Sequence, residues 1–182
     1  MRTIWTVGHS TREWPQFLSL LMQAGIEAVA DVRRYPASRR NPQFAAANLA
    51  AGLAEAGIDY VPMVELGGRR NTRKDSPNTA WRNASFRGYA DYMASDEYRR
   101  ARERLEAIAS TRRTAVMCAE AYWTQCHRSL ISDDLKSRGW TVVHLIAPGR
   151  AEEHPYTKAA RIVDGRLDYG AANETAPQGD LF

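Results

Sequence analysis

Thr3-Ile4-Trp5-Thr6-Val7-Gly8 forms an apolar, partly β-branched run that stops at a glycine, and Ser10-Thr11-Arg12-Glu13 follows it at once. The run reads as a strand. The second stretch has the S-x-x-E spacing of a capping box, in which a serine oxygen and a glutamate carboxylate each satisfy an open N–H at a helix start. Phe17, Leu18, Leu21 and Met22 then recur at helical spacing as far as Gly25. A strand, a tight turn and an amphipathic helix make the opening unit of an α/β fold.

The unit repeats along the chain. Ala28 to Val32 reads as a second strand, followed by a basic loop with Pro36 and Pro42 and by an alanine-rich helix from Phe44 to Ala56 that Gly57 ends. Asp59 to Val64 gives a third strand, and Gly67 to Ser85 is too rich in Gly, Asn, Arg and Pro to be regular. Helices are expected over Phe86 to Met93 and Asp96 to Ala109, with Ser95 as the N-cap of the latter. Thr114 to Cys118 is a fourth strand, Cys126 to Arg138 a helix ended by Gly139, and Trp140 to Ile146 a fifth strand. The alternation predicts a three-layer α/β domain, Rossmann-like, with a mostly parallel sheet of about five strands and helices on both faces. After Pro148 the pattern weakens, so residues 1–150 read as a single domain and 151–182 as a C-terminal extension.

Composition narrows the class. A chain of 182 residues fills one sizeable core, and none of its apolar runs approaches the roughly 18–20 residues that span a bilayer. Residues Met1 to Val7 lack the ordered basic, apolar and cleavage regions of a leader, so a cytoplasmic protein without membrane contact is expected. Cys118 and Cys126 are the two cysteines and form no C-x-x-C pair, which fits a reducing compartment. The formal charge of +4 is unevenly spread. Arg69 to Arg113 holds twelve basic and six acidic residues, while the stretch from Asp164 to Phe182 is acidic.

In an open α/β sheet, ligands bind beyond the carboxyl ends of the strands. Those positions are polar here: His9 and Ser10; Asp31, Arg33 and Ser38; Cys118 and Glu120; then Cys126, His127 and Arg128. A helix starting at Cys126 would offer unpaired N–H groups and its positive dipole end to an anion, with Arg128 adding a bidentate contact. The same field would make Cys126 a nucleophile, unless it is a small buried residue. His9 is a general acid or base, or a loop cap. Asp31 binds ribose hydroxyls, orients His9 or pairs with an arginine. Glu120 is a base or fixes Arg128, and His144, inside the fifth strand, reads as a satisfied core histidine. A metal could use Cys118, Cys126, His127 and His9, but the cysteine spacing fits no common structural zinc pattern, so no metal or cofactor is expected. The G-x-x-x-x-G-K-[ST] and G-x-G-x-x-G fingerprints are absent, as is the C-x-x-x-x-x-R phosphatase loop.

Together, Thr6-Val7-Gly8-His9-Ser10, Asp31-Val32-Arg33 with Pro36 and Ser38, Leu66-Gly67-Gly68, Tyr89 with Met93, and Met117-Cys118-Ala119-Glu120 with Cys126-His127-Arg128 resemble the family catalogued as domain of unknown function 488. The resemblance implies a compact α/β domain with a site at His9, Asp31, Arg33, Cys118, Glu120, Cys126, His127 and Arg128, and it assigns no reaction. At the other end, Gln178-Gly179-Asp180-Leu181-Phe182 resembles the Q-L-S/D-L-F peptide by which bacterial DNA-repair and replication proteins bind the sliding clamp, departing from it at Gly179. Gln178, Leu181 and Phe182 would then face that partner.

The expectation for function is an enzyme of nucleic-acid or nucleotide metabolism, hydrolytic rather than redox because no nicotinamide or flavin fingerprint is present. His9, Asp31, Glu120 and Cys126 are its candidate catalytic groups, and Ser10, Arg33, Ser38, Cys118, His127 and Arg128 would hold a phosphate-bearing substrate. The alternatives are a non-catalytic nucleic-acid-binding or adaptor module and a thiol or metal protein.

Overall fold

The computed structural model describes residues 1–171. Its elements run β1 (Arg2–Gly8), α1 (Trp14–Gln23), β2 (Ala28–Asp31), α2 (Ala46–Glu55), β3 (Asp59–Pro62), α3 (Ala84–Tyr92), α4 (Asp96–Thr111), β4 (Thr114–Cys118), α5 (Arg128–Ser137), β5 (Trp140–Ala147), β6 (Arg150–Glu153), β7 (Arg161–Val163) and β8 (Arg166–Asp168). The main sheet has the order β3-β2-β4-β1-β5-β6, parallel throughout except where β6 pairs antiparallel with β5. This is the expected α/β, Rossmann-like architecture, with one strand more than the alternation alone indicated.

Side chains of the strands alternate between two cores. On one face Trp5, Val7, Val29, Ala115 and Met117 meet Phe17, Leu20 and Leu21 of α1 and Leu49 and Leu53 of α2. On the other Ile4, Ala30, Val116 and Val142 meet Tyr98 and Leu105 of α4 and Leu130, Ile131 and Leu135 of α5. A strand buried on both sides needs apolar residues at successive positions, which is why β1 and β4 read as continuous apolar runs.

Three local readings change. The cap of α1 is Glu13, whose N–H donates to Gln16 Oε1 at 3.3 Å, and Ser10 instead sits at φ 51° in the turn. Pro15 explains the displacement: it fits the first turn of a helix starting at Trp14, but a start at Ser10 would put it in the interior, without an N–H to bond. Helix α5 starts at Arg128, after a 3₁₀ turn over Trp123–Gln125, and not at Cys126. Third, the chain after Pro148 does not trail off.

Instead β6 extends the sheet, and β7 and β8 form a hairpin. Buried Asp133 of α5 anchors the intervening chain: it accepts from His154 Nε2 at 2.9 Å, Thr157 N at 2.9 Å, Thr157 Oγ1 at 2.6 Å and Tyr169 OH at 2.8 Å. His154 also meets His144 Nε2 at 2.9 Å, and His144 Nδ1 meets Thr6 Oγ1 at 2.6 Å, so His144 is a hydrogen-bonded core residue. β6 is exposed and charged and β7 has only three exposed residues, so neither carries an apolar periodicity, and polar anchoring leaves no repeating signal. Part of the basic charge of the Arg69 to Arg113 stretch is paired within α4 and its contacts. Arg99 pairs with Asp96 and Glu103, and Arg102 with Glu106 and Asp134.

Candidate functional site

β1 and β4 are parallel neighbours whose chains depart in opposite directions, β1 through α1 to β2 on one face and β4 through α5 to β5 on the other. Such a switch point opens a crevice at the strands' carboxyl ends. The two loops run together before they part: His9 N donates to the Cys118 carbonyl at 3.0 Å and Ser10 N to the Ala119 carbonyl at 2.9 Å. Gly8 permits this approach, because a Cβ there would overlap the Glu120 carbonyl.

Beneath the crevice lies a closed network. Arg33 grips Asp31 bidentately, Nε to Oδ1 at 2.8 Å and Nη2 to Oδ2 at 2.7 Å, and its Nη1 donates to the Phe44 carbonyl at 2.8 Å and meets His9 Nε2 at 3.3 Å. Tyr60 OH also donates to Asp31 Oδ2 at 2.8 Å. His9 stacks on Phe44, with ring centroids 4.4 Å apart, and its Nδ1 donates to the Ser10 carbonyl at 2.8 Å. Burial, reinforced by the Arg33 charge, lowers the His9 pKa to about 4, so the ring is neutral at pH 7 with both nitrogens engaged. Of the readings open for Asp31, the ion pair with an arginine is the one present. Arg33, expected on substrate, has its guanidinium paired with the protein.

Arg128 is also held inside. It is 2% exposed, and it donates to Thr6 Oγ1 at 3.2 Å and to the carbonyls of Glu120 at 2.7 Å and Ala121 at 3.3 Å. Burial pulls its pKa down to about 10. Its contact with Glu120 is to the backbone, which leaves the exposed Glu120 carboxylate facing the crevice. Nor are the first amides of α5 open for an anion: Arg128 N reaches Cys126 Sγ at 3.5 Å, Ser129 N the Cys126 carbonyl at 3.0 Å, and Leu130 N the His127 carbonyl at 3.1 Å. An expected helix-end phosphate site is thus internally satisfied.

What faces solvent is a cleft made of two adjoining depressions, of about 650 and 770 Å³. Both are lined by Arg33, Tyr35, Ala37, Ala119, Glu120 and Gln125. Arg34 and Arg69 border one, Arg39 and Arg40 the other, with His9, Ser10 and Ser38 also on the second. Glu120 is the one carboxylate among the described residues lining either. Tyr35 is 62% exposed, and the Arg34 and Arg69 guanidiniums lie 5.7 and 5.9 Å from its ring centre.

Cys118, Cys126 and His127 form the inner wall of the first depression. The two sulfurs are paired as a disulfide, where separate thiols were expected. With His127 they form the one candidate metal-ligand cluster among the described residues, all donor atoms lying within 4.8 Å of one another, and His9 is not part of it. His127 Nε2 donates to the Val32 carbonyl at 3.1 Å, and burial lowers its pKa to about 4.

The sequence model of a family described as "Domain of unknown function DUF488" matches residues 13–135. The chain belongs to this family. In the DUF488 chain the matched span contains Asp31, Arg33, Ser38, Cys118, Glu120, Cys126, His127 and Arg128, while His9 and Ser10 precede it. No curated protein and no solved structure matches the chain. No helix of the described residues is long and apolar enough to cross a membrane.

Several of the residues expected at the strand ends line this cleft, and the sequence reading passed over its rim. Arg34, Tyr35, Arg39, Arg40 and Arg69 also line the cleft; of the arginines singled out, Arg33 lines it with its guanidinium paired to Asp31, and Arg128 lies beneath it. One signal was available: an aromatic residue between two basic pairs in a strand-end loop, as Tyr35 lies between Arg33-Arg34 and Arg39-Arg40. Gln178, Leu181 and Phe182 lie outside the described residues.

Proposed function

We propose that this DUF488 protein is an enzyme of nucleotide or nucleic-acid metabolism that takes a phosphate-bearing substrate in the cleft beyond β1, β2 and β4. The observation that carries this reading is the rim, where Arg34, Arg39, Arg40 and Arg69 line a cleft that holds a single carboxylate and an exposed tyrosine. Guanidinium groups match phosphate oxygens, and a ring flanked by guanidiniums is a stacking platform for an unpaired base. Glu120 is the acid-base group, since its carboxylate is free to reach substrate. His9, Asp31 and Arg33 act beneath it as positioning residues that hold the strand-end loops. Hydrolysis of a phosphoester or glycosidic bond fits a carboxylate poised among phosphate-binding arginines. In this reading the acidic C-terminal segment recruits the enzyme to DNA, with Gln178, Leu181 and Phe182 docking on a sliding clamp.

Incubation with nucleotides and with intact or modified DNA and RNA tests the reaction: turnover is expected, and Glu120→Gln should abolish it while leaving binding intact. The second reading is a non-catalytic nucleic-acid-binding module, supported by the same rim. Binding with a steep salt dependence and no product from any substrate would favour it and remove the enzymatic reading. Deleting residues 178–182 should abolish binding to purified clamp; failure of the intact chain to bind ends that part of the proposal.

A further inference from the structure

The Cys118–Cys126–His127 cluster carries more than a cross-link requires. The hydrogen bond from His127 Nε2 to Val32 fixes the tautomer and leaves the Nδ1 lone pair directed at Cys126 Sγ, 3.6 Å away. A backbone carbonyl holding the far nitrogen is the usual support for a metal-binding histidine. Gly68 keeps the space beside Nδ1 open, since a Cβ there would come within 2.9 Å of it. The Arg128 amide points at Cys126 Sγ, an interaction that favours thiolate. A disulfide tying the end of β4 to the turn before α5 has no use for an imidazole lone pair or for an N–H directed at one of its sulfurs.

We propose that the reduced protein binds one Zn²⁺ through Cys118 Sγ, Cys126 Sγ and His127 Nδ1, with the fourth position open to the cleft. Two thiolates and an imidazole suit zinc, and three protein donors with an open position are the donor count of catalytic zinc sites. The cysteine spacing spoke against zinc only because structural sites draw their donors from short local motifs. Here one donor ends a sheet strand, and the others precede the helix that follows it.

Metal enters after reduction. A water-soluble phosphine breaks the S–S bond and takes oxygen from water to become the phosphine oxide, leaving two thiols, and metal binding then releases their two protons to solvent. This inference goes beyond the substrate reading and does not depend on it, because the metal alone is the probe.

The test uses the full chain, reduced by phosphine without oxygen and titrated with Co²⁺ and then Zn²⁺. One equivalent of Co²⁺ should give a thiolate-to-cobalt charge-transfer band with the visible bands of four-coordinate cobalt, and Zn²⁺ should abolish both. Cys118→Ser, Cys126→Ser and His127→Ala should each weaken binding at least about tenfold, and Gly68→Ala, whose added Cβ would crowd His127 Nδ1, should weaken it as well. A reduced wild-type chain with two titratable thiols and no such bands overturns the proposal. So does a well-folded His127→Ala variant that binds cobalt as tightly as wild type with an unchanged spectrum. If His127→Ala does not fold, the wild-type and Gly68→Ala titrations decide.

Discussion

Replacing Arg128 by methionine separates a residue that builds the cleft from one that binds substrate. Methionine keeps an unbranched stem of similar length but removes the charge and the donors to Thr6, Glu120 and Ala121. Hydrogen bonds from a charged donor contribute about 1.5–3 kcal/mol each. Thr6 keeps its bond to His144, so the uncompensated loss falls mainly on the Glu120 and Ala121 carbonyls. Against it stands the relief of no longer burying a guanidinium 2% exposed, which offsets part of the loss. The balance is a destabilisation of about 2–4 kcal/mol, a fall in Tm of roughly 6–12 °C for a chain of this size. Urea and thermal melts followed by circular dichroism measure it, and nucleotide binding is read well below the melting range. The expected variant is destabilised yet still binds anions, because Arg34, Arg39, Arg40 and Arg69 remain. Unchanged stability with anion binding abolished would refute the assignment and return Arg128 to the substrate.

Truncating Tyr35 to alanine should weaken binding of single-stranded oligonucleotides by about 1–3 kcal/mol in fluorescence anisotropy, without lowering Tm, since its ring is exposed. Asp133→Asn should loosen the segment holding His154, Thr157 and Tyr169, seen as rapid proteolysis between β6 and β8 while the parallel sheet stays protected. Stability should also depend on pH through His9. Its folded pKa of about 4 lies below the open-chain 6.5, so between those values the unfolded chain binds the extra proton. This contribution is complete above pH 6.5 and is lost as pH falls toward 4, at about 1.4 kcal/mol per pH unit. His144, depressed by burial and by His154, adds a loss of the same sign. Urea melts across that range measure the slope, and His9→Phe should remove the His9 share of it while leaving the rest.

The fold was legible where burial imposes a period. β1, β4 and β5 lie between two helical layers, so their apolar runs stand out, and Gly25, Gly57 and Gly139, all at positive φ, mark the helix ends. What stayed hidden depends on partners distant in sequence. Nothing near Asp133 announces that it anchors His154 and Tyr169, and Arg128 resembled an anion ligand until Thr6 and the Glu120 carbonyl supplied its partners. The strand-end positions were readable because topology confines ligands to one edge. Which side chains point outward there was set by packing, with Arg33 turned down onto Asp31 and Arg34 and Tyr35 left at the rim.

The most direct measurement is a crystal of the DUF488 protein soaked with a nucleoside monophosphate. Phosphate density should lie among Arg34, Arg39, Arg40 and Arg69, with the base against Tyr35 and Glu120 beside the scissile position. A nucleotide bound instead along α4, or an empty cleft at concentrations that saturate binding in solution, would contradict the account.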